Sequence, residues 1–132
     1  MIQHHEEPKI RPTHLRIDLE QIRRNLHILK QEAATARLMP ILKANAYGHG
    51  LIPVAKTLMS CGVEDFGVAY LEEALALRSA GIDARILVLG GIVGRQIPTF
   101  IERDLTLTAS SIDKLHAINE TAREMNRIAR VH

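Results

Sequence analysis

The feature that most constrains this chain is its alternation of short apolar runs with segments of helical apolar spacing. Runs suited to strands begin near residues 38, 66, 86, 105 and 128, and each gap between them holds one helical segment. Ile86-Leu87-Val88-Leu89 is apolar throughout, as expected of a strand covered on both faces. Phe66-Gly67-Val68-Ala69 reads as a second buried strand, and Leu105-Thr106-Leu107-Thr108 alternates. Between them, Leu51, Val54, Ala55 and Leu58 make one buried face. Leu71, Ala74, Leu75 and Arg78 make the next, with Gly81 as its stop. Ile97, Phe100 and Ile101 line a short helix, and Ile112, Leu115, Ile118, Ala122 and Met125 line a longer one behind the cap signature Ser110-Ser111-Ile112-Asp113. One helix between successive strands is the rhythm of a parallel α/β sheet with right-handed crossovers. A doubly wound sheet and a (β/α)8 barrel share that rhythm, and spacing alone selects neither. A barrel takes roughly 250 residues, so this chain would form about its first half.

Upstream, Thr13 to Ile17 alternates enough for a short strand. Asp18 is placed to cap a helix whose stripe is Leu19, Ile22, Leu26 and Leu29. Residues 1–12 are polar, carry two prolines and read as a mobile tail. The tail's His4-His5-Glu6-Glu7 has no spaced partner motif and does not preorganise a metal site. Glu72 and Glu73 open their helix, where carboxylates meet the positive end of the dipole.

Composition removes several classes of function. The net charge is only +2, aromatics make up 3% and tryptophan is missing, which argues against a nucleic-acid surface. A single cysteine, Cys61, rules out an internal disulfide and suits a reducing compartment. The N-terminus lacks the apolar core of a signal peptide, and no apolar run approaches the roughly 20 residues that span a bilayer, so a cytoplasmic protein is expected. Gly90-Gly91-Ile92-Val93-Gly94 is glycine-rich, but its spacing matches neither the dinucleotide fingerprint nor a P-loop.

The chemistry concentrates in Leu38-Met39-Pro40-Ile41-Leu42-Lys43-Ala44-Asn45-Ala46-Tyr47-Gly48-His49-Gly50. An apolar run delivers one lysine at its end and then breaks at two glycines, which admit backbone angles closed to other residues. Burial of an ammonium lowers its pKa toward a useful nucleophile, so such a lysine is a candidate for imine chemistry with a carbonyl. A lysine can also end a strand simply because its stem snorkels into solvent.

Lys43 to Gly50 resembles, at all eight positions, the pyridoxal-phosphate attachment motif of the alanine racemases, and Arg16-Ile17-Asp18-Leu19, Ile22 and Asn25-Leu26 resemble the opening of the same family. The resemblance implies that residues 13–132 are the N-terminal portion of a truncated, pyridoxal-phosphate-binding TIM-type (β/α)8 barrel. It implies an amino-acid racemase that interconverts L- and D-alanine through an aldimine on Lys43, supplies D-alanine for peptidoglycan and works as a homodimer. Lys43 is then both the catalytic and the cofactor-binding residue, and Tyr47 lies near the cofactor phosphate. Asn45 and His49 shape the loop or support the site from behind. The opposing tyrosine base, the arginine at the pyridine nitrogen and most of the phosphate loop would lie outside this chain, leaving it inactive alone. Two other readings stand beside this one: a non-catalytic pyridoxal-phosphate homeostasis protein, and an inert truncated module. A barrel fragment would also leave interior side chains such as Ile41, Val68 and Val88 without an opposite wall.

Overall fold

A computed structural model describes residues 13–132. The expected tail at 1–12, with His4-His5-Glu6-Glu7, lies outside the described residues. The elements run α1 (Leu19–Ala33), α2 (Lys43–Tyr47), α3 (Leu51–Ser60), β1 (Asp65–Val68), α4 (Leu71–Ser79), β2 (Arg85–Val88), a 3-10 turn at Gly94–Gln96, α5 (Ile97–Glu102), β3 (Thr106–Leu107), α6 (Ile112–Glu124) and β4 (Arg130–Val131).

All pairings are parallel and the sheet order is β1-β2-β3-β4. That order decides between the two architectures the sequence left open. Successive right-handed crossovers that always step in one direction place every helix on the same side of the sheet, whereas a doubly wound sheet must reverse its order at a switch point. The chain is therefore built as the opening strands of a barrel.

The segment before Lys43 extends this sheet beyond β1, though less regularly than expected. Leu42 N donates to Gly67 O at 2.7 Å and Gly67 N donates to Pro40 O at 3.0 Å, which leaves a single parallel bridge, Ile41 to Gly67, in place of a full strand. Pro40 has no N–H to continue the ladder, and the backbone leaves the sheet directly after Leu42. The short strand expected at Thr13–Ile17 does not form. A strand needs a neighbouring strand, and no described strand takes this stretch into its ladder.

Register assigns the two faces. Phe66, Val68, Ile86, Val88 and Leu107 face the helices and are fully or almost fully buried. This corrects the expectation for Val68 and Val88, whose wall is the helical layer. The opposite face carries Gly67, Leu87 and Thr106 in one row, and Ile41 packs over Gly67, where a Cβ would come within 2.5 Å of its Cδ1. The helical layer supplies Leu26, Val54, Ala55, Leu58, Ala74, Leu77, Phe100 and Ile118 to the core.

Asp18 caps α1 as its position suggested, its carboxylate accepting from Glu20 N and Gln21 N at 3.0 Å each. Ser111 caps α6 by accepting from Lys114 N at 3.2 Å. The amphipathic face expected for α6 is only partly used. Ile118 and Ala122 are buried and Met125 packs on the core, but Ile112 is 67% exposed and Leu115 41%, because no described residue covers the first turn. Leu29, expected on the buried stripe of α1, is also exposed.

The ends of the strands opposite Lys43 are held by charge. Arg78, which the sequence placed on an apolar helix face, donates to four carbonyls: Ile82 O at 2.6 Å, Ala84 O at 2.9 Å, and Arg103 O and Asp104 O at 3.0 Å. It ties the loop into β2 to the turn into β3. Burial lowers its pKa, and Asp104 and Asp83 oppose that effect.

Asp65, buried at the start of β1, receives Arg85 Nε at 2.6 Å and Nη2 at 2.8 Å in a two-pronged pair. The Arg85 hydrogen bond is the largest influence on its carboxyl. Burial opposes it, and the charges of Arg85 and Arg37 add to it, so the pKa lies below the ordinary 3.8. A carboxyl whose folded value is depressed contributes its stability in full above the unfolded value and loses it as pH falls through the folded one. The Tm advantage of the parent chain over Asp65→Asn is expected to hold near neutrality and to shrink as the pH is lowered below about 3.8. Thermal melts of both chains across that range test it, and a gap independent of pH would contradict the assignment.

Candidate active site

The candidate residues gather at the C-terminal ends of the parallel strands. Lys43 follows the segment paired with Gly67, and Ala69-Tyr70 and Gly90 follow β1 and β2 at the same edge. This is the edge at which parallel barrels place function. The Lys43 side chain is exposed, so of the two readings of a lysine at a strand end it fits the one that surfaces into solvent.

The backbone after it is unusual. Ala44, Asn45, Ala46 and Tyr47 have φ of 52, 56, 53 and 53°, and Gly48 continues at 84°. Four consecutive non-glycine residues thus form a left-handed turn, a conformation that costs roughly 1–2 kcal/mol per residue. Such strain persists only where the surroundings over-determine it, and here the anchors can be named. Ala46, in the middle of the turn, is buried in the core and its N–H donates to Leu42 O at 2.8 Å. Gly48 N donates to Ala44 O at 3.1 Å, and Gly50 N to Asn45 O at 2.9 Å. His49 donates twice to Ala46 O, from its backbone N at 3.0 Å and from Nδ1 at 2.9 Å. Asn45 Oδ1 accepts from Leu51 N at 2.8 Å and so satisfies a free donor at the start of α3. Asn45 and His49 therefore hold the loop, one of the two roles, shaping the loop or supporting the site from behind, expected of them.

The last anchor was not foreseen. Glu73 reads in the sequence only as an acid in the first turn of a helix. Its Oε1 accepts from Ala44 N at 2.6 Å, while Oε2 accepts from Ala69 N at 2.8 Å and Tyr70 N at 3.3 Å. The glutamate three residues past Tyr70 signals a helix start, but nothing local signals a bond to a residue 29 positions earlier.

Tyr47 closes the turn with its ring 60% exposed. Gly90 owes its identity to packing, since a Cβ there would lie 2.4 Å from Ala69 O, and this accounts for part of the glycine-rich loop without a ligand. A cavity of about 380 Å³ lies at the other end of β1, lined in part by Lys30, Arg37, Glu64 and Asp65, and is separate from Lys43. Among the described residues no cluster of three His, Cys, Asp or Glu is placed to hold a metal, and no helix is long and apolar enough to cross a membrane.

A family model described as the N-terminal domain of alanine racemase matches residues 17–132. The chain belongs to the alanine racemase family. An alanine racemase of Symbiobacterium thermophilum is 39% identical over 123 residues, covering 93% of this chain and 33% of that protein. One from Carboxydothermus hydrogenoformans is 43% identical over 99 residues, 75% of this chain and 27% of its own length. The chain thus spans about a third or less of the curated alanine racemases it matches. Among solved structures, the alanine racemase of Clostridium difficile 630 superposes with a TM-score of 0.85 at 34% identity, covering 88% of this chain and 31% of that one. A histidine racemase from Leuconostoc mesenteroides superposes with a TM-score of 0.80 at 33% identity, covering 86% of this chain and 30% of that one. These superpositions agree with the barrel architecture read from the strand order.

The alanine racemase signature thus coincides with the strained turn, and each polar anchor of that turn is open to test. Asn45→Ala removes the acceptor for Leu51 N and is expected to cost about 1 kcal/mol, the usual value of a helix cap. Asn45→Asp, which keeps the oxygen, is expected to lose less. Denaturant unfolding of the two variants checks the order, and equal losses would contradict it.

Proposed function

We propose that this chain is the cofactor-capturing N-terminal part of an alanine racemase that interconverts L- and D-alanine. Lys43 is the attachment site for pyridoxal phosphate, and Tyr47 lies toward the cofactor phosphate. The observation that carries this reading is a primary amine, exposed at the C-terminal end of a parallel strand and mounted on a backbone turn too costly to be kept without a use. The groups present suit the cofactor: an aldehyde needs an accessible amine, and a phosphate ester can accept from the exposed phenol of Tyr47. When bound, the cofactor supplies an electron sink for the carbanion formed at the amino acid's Cα. The residues of this chain hold it, keep the lysine at one face of the substrate and let the released amine take or return the Cα proton there.

Reaction from the opposite face requires a second base, which we place, with the group facing the pyridine nitrogen and most of the phosphate grip, in the remaining two thirds of the relatives' length. The likeness to a histidine racemase supports the view that amine capture is common to racemases of different side chains. Alanine is favoured because it is the substrate named in the curated relatives. Dimerisation, action in the cytoplasm and a supply of D-alanine to peptidoglycan belong to the same proposal.

Mixing the chain with pyridoxal phosphate, reducing with borohydride and mapping the adduct is expected to place the label on Lys43. A label spread evenly over Lys9, Lys30, Lys56 and Lys114 would overturn the assignment and favour an inert module. The same chain is expected to racemise alanine at least ~10²-fold more slowly than an intact racemase, the usual cost of losing one acid–base group. Turnover within tenfold of the intact enzyme would refute that division of labour.

A further inference from the structure

We propose that Glu73 is the positioning residue for the Lys43 amine, holding the peptide plane that follows the lysine. This rests on the assignment of Lys43 as the attachment site. The backbone is held on both sides of that lysine. Before it, Leu42 N is fixed to Gly67 O of β1 at 2.7 Å. After it, the N–H of Ala44, which belongs to the Lys43–Ala44 peptide, is fixed to Glu73 Oε1 at 2.6 Å. The other carboxylate oxygen takes Ala69 N at 2.8 Å and Tyr70 N at 3.3 Å, immediately beyond the strand that holds Leu42. One carboxylate therefore fastens the entry to the left-handed turn to the end of β1 and the start of α4.

The requirement is specific to a carboxylate of this length. Three N–H groups approach, Ala44 from the lysine side and Ala69 and Tyr70 from the strand side, and each side needs its own acceptor oxygen. A glutamine offers one oxygen and one NH2, so the donors of one side would face another donor. An aspartate is one methylene shorter and reaches less far. An exposed lysine side chain has no packing of its own to aim it, so the placement of its amine depends on how firmly its backbone is held. Misplacement of a reacting group by about 1 Å can cost on the order of 100-fold in rate.

The test uses the amine's own reaction with pyridoxal phosphate. Lys43 Nζ adds to the aldehyde carbon, a C–N double bond forms, the carbonyl oxygen leaves as water, and borohydride then delivers hydride to that carbon to leave a stable secondary amine. The readout is the initial rate of labelling at Lys43 relative to Lys56 in the same molecules, with amide exchange at Ala44 measured in parallel. In Glu73→Gln, Lys43 labelling is expected to slow about tenfold or more relative to Lys56, and the Ala44 amide to exchange about tenfold faster. Glu72→Gln, a neighbouring exposed acid, is expected to behave as the parent chain. Unchanged Lys43 selectivity in Glu73→Gln overturns this inference and leaves the assignment of Lys43 standing. Absence of Lys43 selectivity in the parent overturns that assignment and this inference with it. If Glu73→Gln does not fold, the parent chain decides. Protection of the Ala44 amide well beyond the free-peptide rate supports the mount, and exchange at the free-peptide rate overturns it.

Discussion

The whole candidate site depends on a backbone that is bent the wrong way and held there. Four consecutive L-residues in the left-handed region are unfavourable by themselves, and no side chain among Ala44, Asn45, Ala46 and Tyr47 prefers that state strongly enough to enforce it. Enforcement comes from outside the turn. The core takes Ala46, the sheet edge takes Leu42, the next helix takes the oxygen of Asn45, and a carboxylate from α4 takes the N–H of Ala44. The parallel sheet thus serves the site as a rigid bracket to which a strained loop is pinned.

The two ends of the sheet carry different burdens. At the N-terminal ends of the strands, Arg78 gathers four carbonyls and Asp65 is locked to Arg85, while Arg130 Nε reaches Asp104 Oδ1 at 2.7 Å. These contacts all use a charged guanidinium, toward carbonyls for Arg78 and toward carboxylates for Arg85 and Arg130, and they join neighbouring connections. At the C-terminal ends the exposed groups are an amine and two phenols, those of Lys43, Tyr47 and Tyr70, on loops held by backbone hydrogen bonds.

Much of this was legible in the residues, and the parts that were not share a physical cause. Helix faces and caps follow from local spacing: Asp18 and the face of α3 behave as their spacing predicts, while the cap of α6 falls on Ser111, one residue past the Ser110 that the spacing to Asp113 indicates. Strand order could not be read, because spacing is blind to the direction in which successive crossovers step. Local pattern also overstated whatever needs a neighbour. Thr13–Ile17 alternates but has no described strand to pair with, and the first turn of α6 is apolar without a cover. The signature from Lys43 to Gly50 pointed to the candidate site. It did not disclose the left-handed run, since asparagine favours that geometry only as a single residue and alanine and tyrosine do not favour it, and it did not disclose Glu73, whose carboxylate makes a contact across 29 positions.

That long-range contact also orders events in time. Lys43 enters the chain before Gly67 and Glu73, so when the lysine first appears neither of its fixings exists. The left-handed turn has little local reason to form, and closing a loop of this length must precede any reward from the bonds it brings together. Both fixings of the lysine backbone therefore require β1 and α4 to be in place. A partly folded chain presents an ordinary flexible lysine, no different in placement from the other lysines of the chain.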